Sequence, residues 1–183
     1  MKRPLTGEPL AVDLANTLWR SPDGEHDLLE TTAGLGEWLA ERGVSARLAS
    51  EMSAEKIRTE KIRAALVHTR SVLRGVFDGD AGAEERLNAI LARGLVVRSL
   101  ERGRVRQHPI LTDEAWELAW LAADDYLRLR ESGADSIRQC EHPACMLYFY
   151  DTTGRRRWCS MAGCGNRAKA QRHYARQRSV SSR

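Results

Sequence analysis

Apolar residues recur three and four apart along most of the chain up to residue 131, the spacing of helices with one buried face. Leu10, Leu14 and Leu18 predict a short amphipathic helix through Trp19, ended by Ser21-Pro22-Asp23-Gly24. Thr31 or Thr32 can cap a second helix to about Glu41, with Leu35, Trp38 and Leu39 inward and Gly43 as its stop. Ser53 is placed to cap the longest run, about 54–77, whose stripe is Ile62, Leu66, Leu73 and Phe77. Asp78-Gly79-Asp80-Ala81-Gly82 breaks it, and Glu84 to Arg93 reads as another helix closed by Gly94. Leu95 to Leu100 is β-like, and Glu101-Arg102-Gly103 can turn it into Arg104–Gln107 as a small hairpin. Thr112 or Asp113 caps a further helix to about Glu131, apolar on most sides and so expected in the middle of a bundle. Ser132-Gly133-Ala134-Asp135 is the expected boundary, giving a helical body over 1–133 and a second unit over 134–183.

The pattern changes after that boundary. Met146 to Tyr150 is a strand signal, Asp151-Thr152-Thr153-Gly154 a turn, and Arg155 to Trp158 the expected return strand. Tyr148, Phe149, Tyr150 and Trp158 are expected to form this unit's own small core. Asn166 to Gln177 has neither Gly nor Pro and reads as a helix. All four cysteines fall here, as Cys140-x4-Cys145-x13-Cys159-x4-Cys164. Two close pairs let two turns aim four thiolates at one zinc ion, with Pro143 and Gly163 inside the turns. Disulfide stapling would place cysteines in the first 139 residues as well. A redox dithiol would usually read Cys-x-x-Cys. A catalytic zinc keeps an open position, whereas four thiolates close the shell, and His142 and His173 are not needed as ligands. The expectation is one structural Zn2+. The order knuckle, hairpin, second knuckle opening a helix looks like a treble-clef finger. The overall class is mainly α with a small β-hairpin and a treble-clef-like end.

Charge separates the two units. Residues 151–183 hold nine basic side chains and one acid, whereas the remaining 150 residues hold 20 basic and 24 acidic ones. A basic end on a mildly acidic body points to an anionic partner. Arg155, Arg156 and Arg157 would alternate faces on the return strand, and Lys169, Arg172 and Arg176 share one helical face. Gly165 and Asn166 at the helix start could add amide donors. These residues make a candidate surface for DNA phosphates, with duplex favoured over single strands because no aromatic is free to stack bases. An acidic protein bound by a purely structural finger is the alternative. No stretch approaches about 18 apolar residues, so no membrane span is expected. Met1 to Pro9 is not followed by an apolar signal region, which makes a cytoplasmic location the default. No nucleophile–base pair or phosphate loop is evident, so an enzyme is not expected.

The run Arg157-Trp158-Cys159-Ser160-Met161-x-x-Cys164-Gly165-Asn166-Arg167-Ala168-Lys169, with Cys140-x4-Cys145 and Tyr148-Phe149-Tyr150-Asp151 before it, closely resembles the CGNR zinc-finger family. Leu10-Ala11-Val12-Asp13-Leu14-Ala15-Asn16-Thr17 resembles the opening of the ABATE domain that precedes that finger, with Ala15 where an aromatic is usual. The resemblance implies a bacterial stress-induced transcription regulator, with a sensing domain before a DNA-binding finger. It carries the zinc ligands to Cys140, Cys145, Cys159 and Cys164, and adds Arg167 to Gly165 and Asn166 as DNA contacts. A homodimer suits a DNA regulator, although no heptad pattern supports one. Asp13 and Asn16 lie on one side of a helix, where they either line an effector pocket or brace neighbouring helices. Arg98, on the hairpin, and His68, mid-helix, are further candidates for such a pocket.

Overall fold

The computed structural model describes residues 3–43, 56–132 and 136–181. The expected cap at Ser53 and the boundary residues Gly133, Ala134 and Asp135 lie outside these. The first helix, α1 (Leu10–Ala15), is shorter than its leucine spacing predicts. Leu18 and Trp19 leave it for a strand, β1 (Leu18–Ser21), paired antiparallel with β2 (Gly24–Asp27). The turn residues that were expected to end a helix close a hairpin instead. The hairpin buries Trp19 against His26, ring centroids 5.3 Å apart, and the Leu28 amide donates to the Thr17 carbonyl at 2.9 Å to fix the chain's return.

The second helix, α2 (Thr32–Glu41), forms as its sequence predicts. Thr31 Oγ1 accepts from the Gly34 amide at 3.1 Å, Leu35, Trp38 and Leu39 are buried, and Gly43 takes φ +65° past the last turn. Next come α3 (Lys56–Asp78), α4 (Ala83–Leu91) and α5 (Glu117–Ser132). Ile62, Leu66 and Leu73 of α3 are buried, as is the Ala119–Trp120–Ala122–Ala123 stretch of α5. Asp113 opens the turn before α5 by accepting from the Ala115 amide. The end of α5 reaches solvent, with Leu127 39% exposed, so this helix is central only over its first half.

The second hairpin is longer than expected: β3 (Gly94–Glu101) pairs with β4 (Arg104–Leu111) along eight positions. Arg102 and Gly103 at its tip have φ +50° and +76°, the pair of positive angles that a tight two-residue turn needs. A third pair, β5 (Ile137–Gln139) with β6 (Tyr148–Tyr150), brackets the first two cysteines. The partner of β6 therefore precedes Cys140, and Arg155–Trp158 is not its return strand. Asp151 explains why. Its carboxylate accepts from the Thr153 amide, Thr153 Oγ1 and the Arg156 amide at 2.7–2.9 Å, which coils the segment into a loop. The Thr153 hydroxyl, helped by the two amides, holds the Asp151 carboxyl down at about 2.

The aromatic residues of β6 do not form a separate core. Tyr148 and Phe149 are buried, and Tyr148 packs edge-on to Phe77 of α3 at 5.1 Å. Asn16, just after α1, donates to the Tyr148 carbonyl at 2.8 Å and accepts from its amide at 2.9 Å, as a strand neighbour would. Tyr148 Oη donates to Asp78 at 2.7 Å, and Arg74 donates to the carbonyls of Ala15 and Met146. Glu8 accepts from the Tyr150 amide at 2.8 Å and from Arg156 at 3.0 Å. Helices α1 and α3 thus grip the segment that carries the cysteines. Among the described residues, no helix is long and apolar enough to cross a membrane.

Candidate metal centre

The cysteine sulfurs converge from three chain segments. Cys140 follows β5, Cys145 precedes β6, and Cys159 follows the Asp151 loop. Cys164 sits in a single wide turn, Met161–Gly165, that leads into α6 (Asn166–Ser181). Ser160 caps that turn: its Oγ accepts from the Gly163 amide and its carbonyl from the Gly165 amide, both at 3.0 Å. Gly165 is buried, and a Cβ there would meet Met161 Sδ at 2.7 Å and Trp158 at 3.3 Å.

All four Sγ atoms lie within 4.8 Å of one another. Cys159 is 3.5 Å from Cys164 and 3.9 Å from Cys145, far beyond a disulfide bond. Four sulfurs at about 2.3 Å from one tetrahedral ion would stand about 3.8 Å apart. The donor set and its spacing fit one structural zinc. Electrostatics agree. So close together, Cys140 is pulled far below the ordinary thiol range by hydrogen bonds from Cys145 and Cys159. The same contact with Cys140 pushes Cys145 up to about 12, and Cys159 is driven higher still by Cys140, Cys145 and burial. A divalent cation is what lets all four ionise together.

A family model described as "Putative stress-induced transcription regulator", ABATE, matches residues 8–132. The chain belongs to the ABATE family. A second model, the CGNR zinc finger, matches residues 136–177 and contains all four cysteines. No curated protein matches the chain. The two families describe a regulator and a zinc finger, and neither describes an enzyme.

Within the CGNR finger, the nine expected DNA contacts are not gathered on one surface. Arg156 is turned inward: it stacks over Phe149 at 4.4 Å and donates to Glu8 and to the carbonyls of Trp158 and Cys159. Gly165 is enclosed by Met161 and Trp158. Arg167 donates to Cys164 Sγ at 3.1 Å. Arg155, Asn166 and Lys169 are exposed, and the Arg176 side chain lies outside the described ones. Arg157 and Arg172 are brought together. They line an open groove of about 380 Å3 between the Cys140–Cys145 turn and α6, with His142, Pro143, Trp158 and Ala168.

In the ABATE part, the side chains of Asp13 and Asn16 are engaged in bracing contacts. Asp13 is fully buried, paired with Arg3 at 3.2 Å and accepting from Trp38 Nε1 at 2.8 Å. Asn16 is spent on Tyr148. Arg98 stands exposed on β3, and His68 packs edge-on to Trp116 at 5.8 Å, so the four are not assembled. Sequence reasoning missed Glu8 and Arg74, whose value lies in contacts more than 55 positions away along the chain.

Proposed function

We propose that the chain is a DNA-binding regulator whose zinc-held finger presents α6 to the phosphate backbone. The observation that carries this reading is the character of α6. After Ala168, every described side chain up to Tyr174 is exposed, and its sequence contains no acid. A helix polar all round gains nothing from packing on its own protein, so a polar partner is the natural complement. Lys169 and Arg172 supply cations to such a partner, and Arg157 flanks the groove beside them. The Arg157–Glu141 ion pair is exposed and therefore weak, so a phosphate can take the guanidinium from it. Arg156 and Gly165 drop out of the surface.

The test is duplex DNA binding across a salt series. Arg157→Ala, Lys169→Ala and Arg172→Ala combined should lower affinity steeply and reduce the log–log salt slope by about 0.9 for each phosphate that the variant no longer neutralises. Binding that ignores salt, or a triple variant that binds as wild type, would favour an acidic protein partner instead.

Control by an effector finds its support at the junction of the two matched regions. A cavity of about 130 Å3 there is lined by Val76, Phe77, Tyr126 and Leu129 on one side and by Ile137 and Tyr150 on the other. A small molecule in it would touch α3, α5 and the β5–β6 pair at once. Ile137→Trp, which fills the cavity, should alter DNA affinity while zinc content stays at one per chain. Unchanged affinity removes the junction as a control point.

A further inference from the structure

A zinc centre of four thiolates carries a net charge of −2 that burial deprives of water, so N–H donors to sulfur decide how tightly the centre is held. At Cys140 the backbone supplies one: the Cys159 amide donates to its Sγ at 3.3 Å. At Cys164 the nearby backbone is engaged elsewhere. The amide two residues on belongs to Asn166, and it is consumed by the carbonyls of Met161 and Gly163 as the wide turn closes into α6. Cys164 is also 1% exposed, so water cannot stand in. The Arg167 guanidinium takes the position, with Nη2 at 3.1 Å from Cys164 Sγ.

We infer that Arg167 is a positioning residue for the metal centre, a charged clamp on the Cys164 thiolate. It replaces the backbone donor that the wide turn has used up. The inference rests on the zinc reading of the four cysteines and not on DNA binding. A guanidinium suits the task because it stays charged at any working pH and reaches back one turn from the start of α6. Its hydrogen bond withdraws electron density from the sulfur, which makes that thiolate a poorer nucleophile and slower to exchange or to be alkylated.

The experiment follows zinc transfer from the full-length protein to a chromogenic chelator, without DNA. Arg167→Gln should release zinc about 10–100-fold faster, the range typical for loss of an outer partner at a metal site. Arg167→Lys, which keeps a charge with fewer donors, should fall between. Iodoacetamide mapping should show Cys164 rising to the first cysteine modified in Arg167→Gln. Gln177→Ala, exposed and nearly three turns further along α6, should release zinc as wild type does. Equal release rates and an unchanged order of alkylation in the Gln and Lys variants would overturn the clamp. If Arg167→Gln does not retain zinc on purification, the Arg167→Lys comparison decides in the same way. Loss of DNA affinity in these variants with zinc release unchanged would mark Arg167 as a DNA contact only.

Discussion

Asp13→Ala is expected to destabilise the ABATE part by about 3–5 kcal/mol, the cost of leaving one member of a buried ion pair without its partner. Asp13 is fully buried, and the side chain of its partner Arg3 is only 1% exposed. Trp38 Nε1 would lose its acceptor at the same time. Glu41 keeps hold of Arg3 through its own carboxylate, which sets the loss toward the lower end of that range. Asp13→Asn should cost less, because an amide oxygen can still accept from Trp38. Replacing both Asp13 and Arg3 by apolar residues of similar volume should be milder than Asp13→Ala alone, since no charge is then stranded. Urea unfolding of the four proteins gives the comparison. A loss under about 1 kcal/mol for Asp13→Ala, within the range of an ordinary surface pair, would refute the bracing role.

The same residue shows where the sequence could be read and where it could not. Local chemistry was legible. Thr31, Trp38 and Gly43 mark α2 through capping, period and positive φ, all set within a few residues. Arg102-Gly103 likewise marks the tip of the β3–β4 hairpin. The cysteine spacing was legible because a metal demands one donor type at short range, and four sulfurs within 4.8 Å answer it. Long-range pairing was not. The leucines at 10, 14 and 18 fit a helix, yet Leu18 and Trp19 enter a strand because the β1–β2 hairpin buries Trp19 on His26. Met146–Tyr150 was a strand signal whose expected partner was Arg155–Trp158, but Asp151 coils that segment and Ile137–Gln139, which carried no strand expectation, pairs instead. For charged side chains, residue type alone did not separate solvent from interior. Arg155 and Arg156 are neighbours of one kind, but Glu8, from the far end of the chain, pulls only Arg156 inward.

Removing zinc should have the largest effect of all, and its extent follows from how the finger is joined to the body. In small zinc modules the metal contributes about 10 kcal/mol or more of the folding free energy. The β5–β6 pair has three residues in each strand, too few to persist alone. Without the metal, four clustered cysteines, three of them buried, would have to be held together by that pair and the Asp151 loop. Chelation should therefore unfold the finger. The body has its own buried set around Leu35, Trp38, Leu66 and Leu73, so most helical signal should survive. The joint between them should open on both sides. Amide protection should vanish at Tyr148 and Tyr150, because Asn16 and Glu8 can hold those amides only while β6 is in place. Lowering the pH should act in the same direction, since protons compete with the metal for the thiolates. Hydrogen exchange with and without chelator, beside elemental analysis for one zinc per chain, reads all of this. Protection at Tyr148 that survives complete zinc removal would mean that α1 and α3, and not the metal, hold the finger's strand.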